Sequence, residues 1–245
     1  MRRSEPLFNV PNSVLIAIAV LIAIHVGRML LPQDAEEWLV VASAFIPSRL
    51  SGDASLLPGG WPAAGTSFFT YMLMHGGLMH LAFNSLWLLA FGGAVALRVG
   101  GSRFLAFAVA TGVLAACFYL LFNLGSRQPM IGASGAVAGL MGGAMRFIFS
   151  AMDGGGLWRL REAPASVPLM SLSQTLRDQR VLVASAILIA LNLMSGLGMG
   201  TPGDGGAAIA WEAHIGGYLA GLLTFGLFEP HAPRRPDLRV VRTLH

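Results

Sequence analysis

Two histidines and a serine, His80, Ser134 and His214, lie inside stretches otherwise apolar enough to cross a membrane, and Asn84 follows the first by one helical turn. A group of this kind facing lipid costs on the order of a few kcal/mol, so it turns toward a bundle interior and marks a functional site. Serine and histidine together can transfer acyl groups. The imidazole takes the hydroxyl proton, the oxygen attacks a carbonyl carbon, and nearby donors hold the oxyanion that forms. These residue types predict a protease-like site built within a bilayer. Taken singly, an intramembrane His or Asn more simply hydrogen-bonds one helix to another.

Spacing says which elements must position the groups. His80 and Asn84 are i and i+4 and share one helix face. His75, five residues earlier, lies about 140° around at 3.6 residues per turn and need not point the same way. Ser134 stands in Gly132-Ala133-Ser134-Gly135. This is not a hydrolase elbow, which needs a strand before the serine and a glycine two after it. The serine sits where a loop enters a helix, so its N–H is one of the unpaired donors of a helix N-terminus. Those donors and the positive end of the helix dipole suit an oxyanion. Gly135, Gly139 and Gly143 form a small-residue ridge, and Gly217 and Gly221 share the face of His214. Two glycine faces let helix backbones approach closely enough for a His–Ser hydrogen bond.

Composition places those elements in a membrane. The chain is 55% hydrophobic and 11% charged, with a mean hydropathy of +0.66. A soluble domain of 245 residues needs far more charge to cover its surface. The pI near 10.2 does not indicate a nucleic-acid partner. All sixteen basic residues are Arg, mostly in short loops and the C-terminal tail, as membrane topology would place them. The one cysteine, Cys117, falls mid-helix and reads as a small buried apolar residue.

Six spans are expected, at about residues 13–31, 68–97, 104–124, 134–149, 181–197 and 211–228. The first reads as an uncleaved anchor rather than a signal peptide. With the N-terminus inside, the inner segments 1–12, 98–103, 146–180 and 230–245 hold thirteen of the sixteen arginines, leaving Arg28, Arg49 and Arg127 outside. Both termini are therefore expected in the cytoplasm. The division is a short N-terminus (1–12), a membrane domain (13–229) and a basic tail (230–245). Residues 32–67 read as an external loop lying in the interface. Residues 153–180 read as a mobile inner loop rich in Gly and Arg.

The chain resembles the rhomboid intramembrane serine proteases of the six-span bacterial type. The likeness rests on His75 and His80-x-x-x-Asn84 in the second span, Gly132-Ala133-Ser134-Gly135 in the fourth and Ala213-His214-x-x-Gly217-x-x-x-Gly221 in the sixth. It covers about residues 13–229. It implies an all-α six-helix membrane bundle in which Ser134 is the nucleophile and His214 its general base. His80, Asn84 and the Ser134 N–H would form the oxyanion hole, with His75, Gly132, Gly135, Gly217 and Gly221 in support. The implied activity is endopeptidase cleavage of transmembrane segments of other membrane proteins, in a bacterial inner membrane. The implied partners are those substrates and the lipid bilayer, with no cofactor, metal or nucleic acid. Nothing in the sequence fixes an oligomeric state.

Two positions depart from the family pattern. Thr66-Ser67 stands where many rhomboids carry Trp-Arg, which removes a loop anchor. Ala138 stands four residues after the serine, where many carry an aromatic that stacks on the base. No carboxylate is expected to complete a triad. Glu212 is about 200° around the helix from His214, and Asp204 lies in an external glycine-rich loop. A Ser–His dyad therefore results, its base oriented by packing or by a neutral acceptor. Two rivals fit less well. A family member that only binds membrane helices has no need of the intact Ser134 and His214. A transporter or channel would favour paired acidic residues or broken-helix repeats.

Overall fold

A computed structural model describes residues 10–154, 158–196 and 210–230. Eight principal helices carry the architecture. They are α1 (Asn12–Met29), α2 (Gln33–Ser43), α3 (Gly60–Thr70), α4 (Leu78–Val99), α5 (Gly101–Phe122), α6 (Ser134–Met145), α7 (Gln179–Gly196) and α8 (Trp211–Thr224). The described residues form no strand. A single antiparallel bridge joins Phe45 to Met130. The protein is an all-α integral membrane bundle. Helices α1, α4 and α5 are each long and apolar enough to span a bilayer, while α6 and Gln179–Met194 of α7 are shorter apolar helices. Large apolar side chains stand exposed along the helices, among them Ile16, Val20 and Val26 on α1 and Val183, Ile187 and Leu191 on α7. Water would not tolerate such faces, and lipid does.

The second expected span needs correction. Residues 68–97 as one helix would be about 45 Å long, against a bilayer core of about 30 Å. The chain breaks instead. Phe68 belongs to α3, one tight turn covers Tyr71–Leu73, and α4 begins at Leu78 after the Gly76-Gly77 pair. His75 therefore lies in a non-helical link and has no helical phase relative to His80. Helix α4 widens by a π turn at Leu88–Gly92 and ends at Gly100, whose φ of +84° lets the chain reverse at once into α5.

The expected external loop is largely folded. It contains α2, single turns at Pro47–Ser51 and Asp53–Leu56, and the first part of α3. The expected mobile inner loop is also held, wherever it is described. Leu160 and Val167 are buried in the main core, and Arg146 Nε donates to Met170 O at 2.8 Å. Arg98 binds the Glu229 carboxylate through Nε and Nη2 at 2.5 and 3.0 Å, and its Nη1 donates to Val167 O. Arg180 bridges Asp153 and Asp178, and its hydrogen bond holds the Asp178 carboxyl down to about 2. Cys117 is half-buried on α5 rather than enclosed.

Helix α6 is the hub. Every residue of it from Gly135 to Met145, save Met141, is buried, as befits a helix that is apolar all round. Its ridge does not simply face α8. A Cβ on Gly139 would meet Thr111 of α5 at 2.3 Å, and one on Gly135 would meet Ala115 of α5 at 2.8 Å. The carbonyls of the same two glycines face α8, where a Cβ on Gly217 would lie 2.1 Å from Gly135 O and one on Gly221 1.9 Å from Gly139 O. Gly142 completes the contact, since a Cβ there would lie 2.1 Å from Tyr218 O. Helix α6 is thus wedged between small side chains of α5 and the backbone of α8.

Gly221→Ala should therefore lower the thermal unfolding midpoint in detergent, at a cost of about 1–3 kcal/mol for forced overpacking. Gly27→Ala on α1, where a Cβ meets nothing within 4 Å, should leave the midpoint unchanged or raise it slightly.

Candidate active site

Ser134 is the first residue of α6. At 1.5 Å per residue α6 is only about 18 Å long, shorter than a bilayer core of about 30 Å, so a bilayer around it would hold at least one of its ends. Backbone that is not helical can exist at that depth only where protein encloses it or a polar cavity receives it. The segment leading to Ser134 is enclosed. Phe45 and Met130 exchange backbone hydrogen bonds at 3.0 and 2.9 Å, Ser126 O accepts from Ser48 N–H at 2.9 Å, and Tyr71 O accepts from Gly132 N–H at 2.9 Å. The Tyr71 hydroxyl in turn donates to Gly112 O of α5 at 2.8 Å. Gly132 turns the chain with φ +118°, and a Cβ there would lie 2.6 Å from His80 Nε2. Both the conformation and the space require glycine.

Across the α6–α8 contact, His214 Nε2 lies 2.7 Å from Ser134 Oγ. His214 stands in the first turn of α8, three residues before Gly217. The close approach at Gly217 thus brings imidazole and hydroxyl together. On its other side, His214 Nδ1 lies 2.6 Å from Asn192 Oδ1 of α7. Asn192 is absent from the expectations above, although a lone amide in an apolar span is the signal that singled out Asn84.

His80 reaches the same place from α4. Its Nδ1 faces the Gly76 N–H at 3.4 Å, which leaves Nε2 as the protonated nitrogen, directed over Gly132 beside Ser134. Asn84 is buried one turn later on the face that carries Leu81 and Leu88, which packs with Ala133 and Val137 of α6. Its amide nitrogen donates back to His80 O at 3.0 Å and retains a second N–H. His75 is fully buried and packs edge-on against His80, with ring centroids 5.1 Å apart. Its backbone oxygen accepts from Arg28 Nη2 at 2.7 Å, and Arg28 pairs with Glu36 of α2 at 3.2 Å. His75 thus buttresses His80 from a link tied to α1 and α2.

Glu212 is turned away from His214. Its carboxylate accepts from Asn123 Nδ2 at 3.2 Å, tying α8 to the end of α5. Asp204 lies outside the described residues, as do residues 1–9 of the N-terminus and 231–245 of the tail. At the two departures from the family pattern, other contacts take over. Thr66 and Ser67 lie within α3, and the segment before it is pinned by fully buried Arg49, which donates to Val41 O at 2.7 Å. Ala138 packs among Tyr218, Leu222 and Val181, leaving Asn192 as the group hydrogen-bonded to the far side of the base.

The description "Rhomboid domain" belongs to the family model that matches residues 62–229, well over half of the chain. Rhomboid protease GluP of Bacillus subtilis (strain 168) is 40% identical over 73 residues, a stretch covering 30% of this chain. That stretch is 14% of the length of the relative.

Gly132→Ala should force the segment before Ser134 out of its positive-φ turn and displace His80. The expected loss is about 1–3 kcal/mol of stability from backbone strain, read by thermal unfolding. Gly77→Ala, at an extended φ of −178° with nothing within 4 Å of the added carbon, should have no comparable effect.

Proposed function

This chain belongs to the rhomboid family, and we propose that it is an intramembrane serine endopeptidase with a Ser134–His214 dyad, acting on transmembrane segments of other membrane proteins. The observation that carries this reading is the 2.7 Å contact between His214 Nε2 and Ser134 Oγ at the start of a short, enclosed helix.

In the proposed reaction His214 Nε2 takes the Ser134 proton as Oγ bonds to the substrate carbonyl carbon, and the carbonyl π pair moves to oxygen. The Ser134 N–H, His80 Nε2–H and the second Asn84 N–H are the donors for that oxyanion. The intermediate collapses, the C–N bond breaks, and the amine leaves with the proton held on His214. Water then attacks the acyl-enzyme, giving its proton to His214, and Ser134 recovers its own as the acyl C–Oγ bond breaks. A substrate helix must unwind locally to present its peptide bond, so small, helix-weakening residues near the cut favour cleavage. The oxyanion donors come from backbone and neutral side chains that are already placed, so little reorganisation accompanies the step.

The orientation follows from charge. Arg98 and Arg146 lie at the ends of α4 and α6 remote from His80 and Ser134. With thirteen of sixteen arginines inside, both termini are cytoplasmic and the site opens toward the external side of a bacterial inner membrane.

Ser134→Ala and His214→Ala should each abolish cleavage of a model transmembrane substrate in detergent while the fold persists. The double variant should lose no more than either single one, because the pair acts as a unit. Near-normal cleavage by either single variant contradicts the dyad. Cysteines placed at Asp53 and Arg239, after removal of Cys117, should react with impermeant reagent from opposite sides of the membrane. Labelling of both from one side contradicts the orientation.

A further inference from the structure

We infer that Asn192 of α7 is a positioning residue for the base, holding His214 in the one tautomer that can accept the serine proton. The inference rests on the proposed protease reading and adds to its Ser134–His214 dyad a third, neutral member.

The argument runs from the outer end of a short hydrogen-bond chain. Asn192 Nδ2 lies 2.8 Å from Leu188 O, one turn back on α7. A backbone carbonyl can only accept, so the Asn192 atom facing it must be the NH2 group. The reversed amide would set two oxygens against each other at that distance. The Leu188 carbonyl thus fixes the amide orientation, and Oδ1 faces His214 Nδ1 at 2.6 Å. An amide oxygen also only accepts, so Nδ1 must carry a hydrogen. In neutral imidazole the other nitrogen then holds the lone pair, and that nitrogen is Nε2, 2.7 Å from Ser134 Oγ. Each link leaves the next no choice of role. The chain Leu188 O, Asn192, His214, Ser134 orders the proton that has to move.

The same amide serves the charged form. When His214 has taken the serine proton, Nδ1–H becomes a stronger donor, and Oδ1 opposite it carries the negative end of the amide dipole. A neutral acceptor does this without placing a carboxylate in a poorly hydrated site. It also supplies the orientation that Ala138, with no aromatic ring, cannot give.

Asn192→Leu preserves size and removes the acceptor. It should lower kcat by about ten- to a thousandfold, short of the roughly 10⁴-fold loss that accompanies a wrong tautomer in a charged triad. KM should stay within about threefold, because Asn192 lies on the side of His214 away from the serine. Asn192→Asp, with its carboxyl protonated on the oxygen that faces Leu188 O, keeps the acceptor toward His214 Nδ1 and should recover most of the lost kcat. Asn192→Ser serves if the leucine variant does not fold, as judged by thermal unfolding, and it should show the same fall in kcat. A leucine or serine variant with kcat within twofold of wild type overturns the inference, as does a loss confined to KM or an aspartate variant no better than leucine. A wild-type protein no faster than Ser134→Ala overturns the protease reading, and this inference with it. A cleaving wild type beside an unimpaired Asn192→Leu overturns this inference alone.

Discussion

The arrangement depends on two helix backbones touching. Gly217 and Gly221 of α8 lie against Gly135 O and Gly139 O of α6 so closely that one methyl on either would overlap an oxygen. Lipid supplies no hydrophobic drive between helices, so contact of this kind, multiplied along an interface, is what holds a membrane bundle together. The same contact sets the Ser134–His214 distance, because His214 lies three residues before Gly217 and Ser134 directly precedes Gly135. A wider separation would leave hydroxyl and imidazole beyond hydrogen-bond reach. Helix packing and the Ser134–His214 contact are one constraint.

A second constraint is that polar groups at this depth need partners. The segment before Ser134 has no helical hydrogen bonds. It is satisfied by Phe45, Ser48 and Tyr71, drawn from elements outside α6. Residues 32–67, which read as a loop in the sequence, therefore have a structural task at the site. The arginines at the far end of the bundle do the matching work there. Arg98 and Arg146 satisfy the carbonyls of Val167, Met170 and Leu222, and Arg98 also lies over the Phe147 ring. These side chains tie that end of the bundle together.

Much of this was legible in the residues. Ser134, His214, His80 and Asn84 stand out because polar groups are conspicuous in apolar runs, and helical spacing already placed Asn84 under His80 and Gly217 beside His214. Lengths were less legible. Phe68–His75 continues the hydropathy of the next span, so composition could not see the break, although Gly76-Gly77 and the excess length both pointed to it. The spacing alone implies an α6 ridge that faces α8, whereas its glycine Cα–H groups face α5 and its carbonyls face α8. A residue pattern reports which face is small but not which of two neighbours fills it. The sequence does not mark Asn192 as the partner of His214, because the two lie more than twenty residues apart on different helices and only folding brings them together.

The central claim is that Ser134 is a nucleophile activated by His214. A serine-directed fluorophosphonate, incubated with the purified protein in mild detergent and followed by mass mapping of the adduct, measures this without a substrate helix. The account predicts one stoichiometric adduct on Ser134, formed with the wild-type protein and lost in His214→Ala. No adduct on the folded protein, an adduct on another serine, or labelling of Ser134 that persists unchanged without His214 would contradict it.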